Sequence, residues 1–266
     1  KVQYITVSLL ANKTITVSKE IEKYFNNIFI PKHKTVTIYN CYDLQRIKDS
    51  SVDNLPVELE GFISNSFVFV SMGRIMYQKG FWHLIKAFKI VCDNYPYSKL
   101  VIIGVDYSNG KADNLINDLN LRQNVYFAGK QNNPFKILSR CNVYVLSSIY
   151  EGFPNAMVEA MGSGLPVVAA NCKSGPKEIL SYNFDDFDYD VDYIESDFGI
   201  ITRSLEVEEN WDKDFITVGE RLLAKGMLKF IESSEFTKKY SDLSLERSTI
   251  YNYAKCKEDY MKIIDE

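Results

Sequence analysis

Phe67-Val68-Phe69-Val70-Ser71-Met72-Gly73-Arg74-Ile75-Met76-Tyr77-Gln78-Lys79-Gly80-Phe81-Trp82-His83-Leu84-Ile85 reads as a strand, a loop and the start of a helix. Phe67–Met72 is a short apolar run, long enough for a buried strand and too short for a helix. Gly73 closes it. After Gly80 the apolar residues Trp82, Leu84, Ile85 and Phe88 mark the buried face of a helix. Two cations, Arg74 and Lys79, lie in the loop beside a helix N-terminus with unpaired N–H groups, an arrangement that suits an anion. Glycine on both sides lets backbone approach a ligand closely. Arg74 offers a planar fork for phosphate oxygens and Lys79 a mobile point charge. An ordinary polar loop with two solvated cations would carry the same residues, and this stretch alone leaves both readings open.

The same alternation continues downstream. Strands are predicted at Phe67–Met72, Leu100–Ile103, Val125–Ala128, Val143–Ser147, Pro166–Ala170 and Phe198–Thr202. Helices are predicted between them at Phe81–Asp93, Ala112–Leu119, Phe135–Ser139, Asn155–Met161 and Pro176–Leu180. Continuously apolar strands at this spacing imply an α/β fold with a doubly wound parallel sheet covered on both faces. Such sheets bind ligands beyond the carboxyl ends of their strands. Beyond Thr202 the chain reads as helical, over Asp212–Glu232, Glu235–Lys239 and Glu246–Ile264.

Upstream, residues 1–45 read as the end of an amino-terminal domain. A helix at Val2–Ala11, a strand at Thr14–Val17, a Ser18-capped helix to Asn26 and a strand at Lys34–Tyr39 are expected. These cannot enclose a core alone, so the segment is expected to dock onto absent or neighbouring structure. Residues 46–66 are polar and read as a linker. The main domain is then 67–245, and 246–266 is a carboxy-terminal helix expected to pack back toward the amino-terminal segment.

Composition excludes several classes. The 266 residues are 46% hydrophobic and 25% charged, with a net charge of -4 and a pI near 5.4. Sequence-independent nucleic-acid binding is therefore not expected. Five separated cysteines without a CxxC pair, and two histidines, argue against a zinc cluster. Separated thiols suit a reducing compartment. No apolar run reaches the ~18 residues of a membrane span, and no signal peptide opens the chain. These features read as cytoplasmic, with room for a peripheral association at the inner face of a membrane.

The more specific pattern is Glu151-Gly152-Phe153-Pro154-Asn155-Ala156-Met157-Val158-Glu159. It follows the strand Val143–Ser147, with Pro154 suited to a first helical turn. One carboxylate lies in the loop and the other on the helix, so they cannot form a single i,i+4 pair. A capping role for Glu151 and a surface role for Glu159 would leave two facts unexplained: the Gly and Pro beside the first, and the apolar stretch around the second.

Here the sequence resembles the retaining glycosyltransferases of family 4. Glu151 and Glu159 match that family's E-x7-E motif, and Gly73-Arg74 with Lys79-Gly80 match its paired cations. Gly164-Leu165-Pro166-Val167-Val168-Ala169 also matches. Asn132-Asn133-Pro134 and Ser174-Gly175-Pro176 with Glu178-Ile179-Leu180 resemble a bacterial subgroup that builds surface polysaccharides or protein-linked glycans. The resemblance covers roughly residues 12–230. It implies a GT-B fold, of which this chain would hold the carboxy-terminal Rossmann-like domain and a remnant of the amino-terminal one. By resemblance, Arg74 and Lys79 hold the donor diphosphate beside Gly73, and Glu151 binds sugar hydroxyls. The Gly152, Phe153, Pro154 and Asn155 backbone faces sugar and phosphate, Glu159 accepts the ribose hydroxyls, and Lys130 and Gln131 lie against the base. Ser18-Lys19-Glu20 and Tyr39–Asp43 resemble the last unit of the acceptor domain.

The implied activity is sugar transfer with retention from a nucleoside diphosphate sugar, expected to be a UDP-sugar, to a saccharide or lipid-linked saccharide. No cofactor and no metal are expected. Any membrane contact would come through the missing amino-terminal domain. Alternatives are a GT-B epimerase and a non-catalytic nucleotide-sugar-binding module. Two departures stand out: Gly104-Val105-Asp106-Tyr107 lacks a second glycine, and Asp185–Asp192 is unusually acidic. That acidic stretch could hold a divalent ion through oxygen ligands, but a solvated insertion fits it better. His33 and His83 are read as structural or exposed.

Overall fold

The computed structural model describes residues 10–28, 31–184 and 192–265. The helix expected at Val2–Ala11 falls largely outside them. In chain order the elements begin with β1 (Thr14–Thr16), α1 (Lys19–Asn27), β2 (Thr35–Thr37), α2 (Leu44–Ser50) and α3 (Val57–Ile63). The alternating part follows as β3 (Val68–Met72), α4 (Phe81–Asn94), β4 (Lys99–Ile103), α5 (Lys111–Asp118), β5 (Val125–Gly129), α6 (Phe135–Leu138) and β6 (Val143–Leu146). It continues with α7 (Asn155–Gly162), β7 (Val167–Ala170), α8 (Pro176–Leu180), β8 (Tyr193–Glu195) and β9 (Ile200–Thr202). Three helices close the chain: α9 (Val218–Glu232), α10 (Ser234–Ser248) and α11 (Tyr253–Ile264).

The main sheet has the order β5-β4-β3-β6-β7-β9-β8, parallel throughout except for the β8–β9 pair. The order reverses direction between β3 and β6, which makes their carboxyl ends the switch point of the fold. Successive side chains point to opposite faces. Phe69, Leu100, Ile102, Val143, Val145 and Val168 join a core with α4, α5 and α9. Val70, Val101, Tyr144, Leu146 and Val167 join a second core with α2, α3, α7 and α8. Apolar residues on both faces of each strand are what a doubly wound sheet requires.

Expectations change at residues 46–66 and in the carboxy-terminal helices, of which the one expected at Asp212–Glu232 starts only at Val218. Residues 46–66 do not form a bare linker: Asp43 caps α2 by accepting from Arg46 N at 2.9 Å, and Ile47 and Leu59 are buried in the second core. Polar composition hid these helices because each buries few side chains. The helix expected at Glu246–Ile264 is broken at Thr249–Tyr251, and Asn252 caps α11. The strand β8, too short to register as a pattern, was not foreseen.

The amino-terminal segment docks on this chain itself. β1 and β2 pair in parallel, Thr14 opposite Thr35. Ser18 caps α1, accepting from Ile21 N at 3.2 Å, and meets Ser174 Oγ at 2.7 Å. The next two amides of α1 donate to Glu178 of α8, Lys19 N at 2.8 Å and Glu20 N at 3.0 Å. A carboxylate beside a helix N-terminus answers both its orphan donors and its dipole. Tyr39 OH adds a bond of 3.2 Å to the same group, and Lys177 pairs with Glu20 at 2.9 Å.

Candidate active site

The loops after β3 and β6 meet at the switch point. Gly80 sits at φ +59, and a Cβ there would lie 2.2 Å from the Ser147 carbonyl oxygen, so only glycine lets the two loops close. Ser147 Oγ donates to Lys79 O at 2.9 Å, and Ile149 N donates to Gln78 O at 2.9 Å. These bonds bring two residues far apart in sequence together. Lys79 Nζ lies 2.6 Å from Glu151 Oε1, with side chains 19% and 6% exposed. Ser148 Oγ donates to the same oxygen at 2.6 Å. Lys79 and Glu151, to which the family resemblance gives separate ligands, therefore form one charge-neutral unit. Arg74 is exposed beside it.

The Gly104 loop, which lacks the second glycine, still comes close to its neighbour. At φ 152, a Cβ on Gly104 would lie 1.9 Å from the Gly73 carbonyl oxygen. The close backbone approach is made, and it is made to the cation loop: Ile75 N donates to Val105 O and Tyr107 N to Ile75 O, both at 2.9 Å.

Glu159 follows one turn into α7, on the side of Asn155. Burial raises the pKa of its carboxyl group above the ordinary glutamate value. It has no hydrogen-bond or ion-pair partner among the described residues. It lines a cavity of ≈ 700 Å³ with Tyr42, Asn132, Phe135, Asn155 and Tyr260. Both glutamates act on the buried Tyr144 hydroxyl, whose pKa rises chiefly through burial and then through Glu151 and, more weakly, Glu159. That hydroxyl donates to Met72 O at 3.4 Å. Glu151 thus lies at the cation loop beyond β3, whereas Glu159 faces the cavity, which no residue of 73–80 lines.

The other expected site residues divide by what their side chains already do. The Phe153 ring is buried against Tyr39 and Tyr251, with centroids 5.5 Å away in each case, so its backbone is what remains for a ligand. Pro154 is buried too. Gly152 offers its carbonyl to Ser174 Oγ at 2.7 Å. Asn155 Oδ1 accepts from Tyr42 OH at 2.6 Å and Asn40 Nδ2 at 2.7 Å. Gln131 turns back onto the Ala128 carbonyl, and Lys130 is exposed.

Sequence reasoning missed Ser148, Tyr144, Asn40 and Tyr42. The signal for Ser148 was available: a hydroxyl just past the end of a central strand is where such folds place ligand groups.

His83 lies behind the loop in a buried cluster, with Nδ1 2.7 Å from Glu220 and Nε2 2.9 Å from Glu206 O. His33 is exposed. Of the acidic stretch, residues 185–191 lie outside the described range, so the metal reading does too. Asp192 pairs with Arg203 at 3.6 Å.

An open α/β sheet with a cation loop and a paired carboxylate at its switch point, and a cavity beside Glu159, defines the class of protein only as an open-sheet α/β fold. Comparison narrows it. The model of the glycosyl transferases group 1 family matches residues 59–192. An uncharacterized glycosyltransferase of Methanocaldococcus jannaschii is 36% identical over 98% of the chain and 64% of its own length. The Campylobacter jejuni N-acetylgalactosamine-N,N'-diacetylbacillosaminyl-diphospho-undecaprenol 4-alpha-N-acetylgalactosaminyltransferase is 24% identical over 92% of the chain and 57% of its own length. The chain belongs to the group 1 glycosyltransferases. It spans less than two thirds of these relatives.

Among solved structures, Anabaena Alr3699/HepE in complex with UDP and glucose has a TM-score of 0.76 at 20% identity, over 98% of the chain and 66% of that protein. Staphylococcus aureus TarM has a TM-score of 0.74 at 20% identity, over 99% of the chain and 45% of that protein. The fold is accordingly that of the Rossmann-like half of GT-B glycosyltransferases. Among the described residues no helix is long and apolar enough to cross a membrane.

Proposed function

We propose that this chain binds the donor of a retaining, metal-independent glycosyltransferase, a nucleoside diphosphate sugar and specifically a UDP-sugar. The observation that carries the reading is the Lys79–Glu151 contact at 2.6 Å, held beside Arg74 at the switch point. Arg74 and Lys79 take the diphosphate, and stabilise it as negative charge develops on the leaving group. Preorganised donors of this kind contribute on the order of 3 kcal/mol each to a transition state. Glu151 accepts sugar hydroxyls when the ligand draws Lys79 toward phosphate. The backbone of Gly152, Phe153, Pro154 and Asn155 faces the sugar and phosphate.

Glu159 is poised for the ribose, because a desolvated carboxylate facing a cavity gains most from hydroxyl donors. Lys130 and Gln131 border the base. The acceptor is a saccharide or lipid-linked saccharide in glycan assembly, in line with the diphospho-undecaprenol substrate in the Campylobacter relative's name. Titration of the purified chain with UDP in excess chelator tests the reading. Saturable binding is expected, and binding seen only after Mn²⁺ is added would overturn the metal-free assignment.

A further inference from the structure

Cys41 and Cys256 are far apart in the chain and meet in the fold. Tyr42 N donates to Tyr251 O at 2.8 Å, and Tyr42 pairs with Asn252 in a parallel bridge. Asn252 caps α11, accepting from Lys255 N at 2.9 Å, and Cys256 N donates to Asn252 O at 3.2 Å. Cys256 therefore stands one helical turn in from the bridge, on the helix lying against the Cys41 segment. The two thiols stand close enough for Cys256 to raise the Cys41 pKa. Both line two adjoining cavities, of ≈ 700 Å³ and ≈ 470 Å³. Both are partly exposed, whereas Cys92 and Cys172 are buried.

We propose that Cys41 and Cys256 form a reversible disulfide that fastens α11 to the segment carrying Tyr39, Asn40 and Tyr42. The oxidant is hydrogen peroxide. One thiolate attacks the peroxide to give a sulfenic acid and, after protonation, one water. The second thiol attacks that sulfur, the S–O bond breaks, and a second water leaves. Two electrons and two protons pass from the thiols to the peroxide. Burial, and then Cys256 itself, hold the Cys41 thiol up at about 11, so little of it is thiolate near neutral pH and its attack on the oxidant is slow. Closure fixes one wall of the cavity that Glu159 faces, since Tyr253, Cys256 and Tyr260 of α11 line it with Tyr42. That consequence for nucleotide binding rests on the ribose assignment above, while the bond itself does not.

The test treats the whole chain with hydrogen peroxide, alkylates the remaining thiols and digests without reduction. A peptide joining the Cys41 and Cys256 segments is expected, with the chain lighter by two hydrogens and restored by dithiothreitol. Cys41→Ser and Cys256→Ser should each abolish it. Amide exchange in α11 should slow in the oxidised protein. Separate sulfinic acids on the two cysteines, or links to other cysteines, would overturn the proposal. UDP affinity measured on both forms separates the two ideas: a linked peptide without UDP binding sinks the donor reading and spares the latch. UDP binding without a linked peptide does the reverse.

Discussion

Glu178 and Glu159 occupy equivalent places, on short helices that follow adjacent strands and pack on the same sheet face. Burial raises the pKa of both. Their surroundings differ sharply. Glu178 accepts two α1 amides and the Tyr39 hydroxyl, at 2.8, 3.0 and 3.2 Å. Glu159 has no partner among the described residues and faces a cavity. A buried carboxylate with its lone pairs occupied is part of the scaffold. One left half-buried and unpaired at a cavity wall costs the fold free energy, and a ligand can return it. The motif residues thus separate by what already satisfies them.

The largest effect should follow from Glu178→Ala. It leaves two amides and a phenol without their acceptor, each worth about 1–3 kcal/mol when buried. Urea denaturation should show a loss of roughly 3–5 kcal/mol, with α1 losing exchange protection first. A loss below about 1 kcal/mol would mean that α1 docks mainly through apolar contacts, and Glu178 would then not differ from Glu159.

Next in size are the cations. Arg74→Ala or Lys79→Ala should weaken UDP by about 10- to 100-fold, since each removes a charge-assisted contact. The two should differ in stability. Arg74 is exposed, so its loss should leave the urea midpoint unchanged. Loss of Lys79 leaves Glu151, only 6% exposed, without its cation, and the midpoint should fall. Calorimetry on both variants checks the first claim and denaturation the second.

Glu159 gives a smaller effect of opposite sign. A carboxyl whose folded pKa is raised binds more protons folded than unfolded. Stability is therefore full below the ordinary value of 4.5 and lost as pH rises through the folded value. Glu159→Gln should flatten that decline, raising stability slightly at neutral pH while weakening UDP. Denaturation midpoints measured from pH 4.5 upward test it, and an unchanged slope would remove Glu159 from the ligand-poised class.

How much of this was legible depends on range. The central strands and α4 were readable because each carries its own apolar pattern, as Val68–Met72 and Phe81–Asn94 show. The residue types of the site were readable for a similar reason: Gly73-Arg74 and Glu151-Gly152 interrupt apolar runs. Pairings were not. Nothing local says that Lys79 reaches Glu151 across 72 positions, or that Glu178 caps a helix 159 positions away. Those contacts follow from strand order, which the sequence pattern leaves open. The missed helices α2 and α3 are too short for periodicity to exceed noise.

The smallest expected change is the most discriminating. Glu151 is bonded to Lys79 and Ser148 in the unliganded chain, so it can act either as a sugar contact or as a clamp on the cation. Glu151→Gln keeps the shape and removes the charge. If Glu151 contacts only the sugar, UDP affinity should change less than about threefold, because the freed Lys79 still meets the diphosphate. The extra affinity of a UDP-sugar over UDP should disappear, by the loss of about one charge-assisted hydrogen bond. If Glu151 serves chiefly to aim Lys79, both ligands should weaken together, and by as much as in Lys79→Ala. Titrating the variant with UDP and with a UDP-sugar, with circular dichroism confirming the fold, separates the two. Equal loss of both ligands would move Glu151 from the ligand-poised carboxylates to those, like Glu178, that are occupied within the protein.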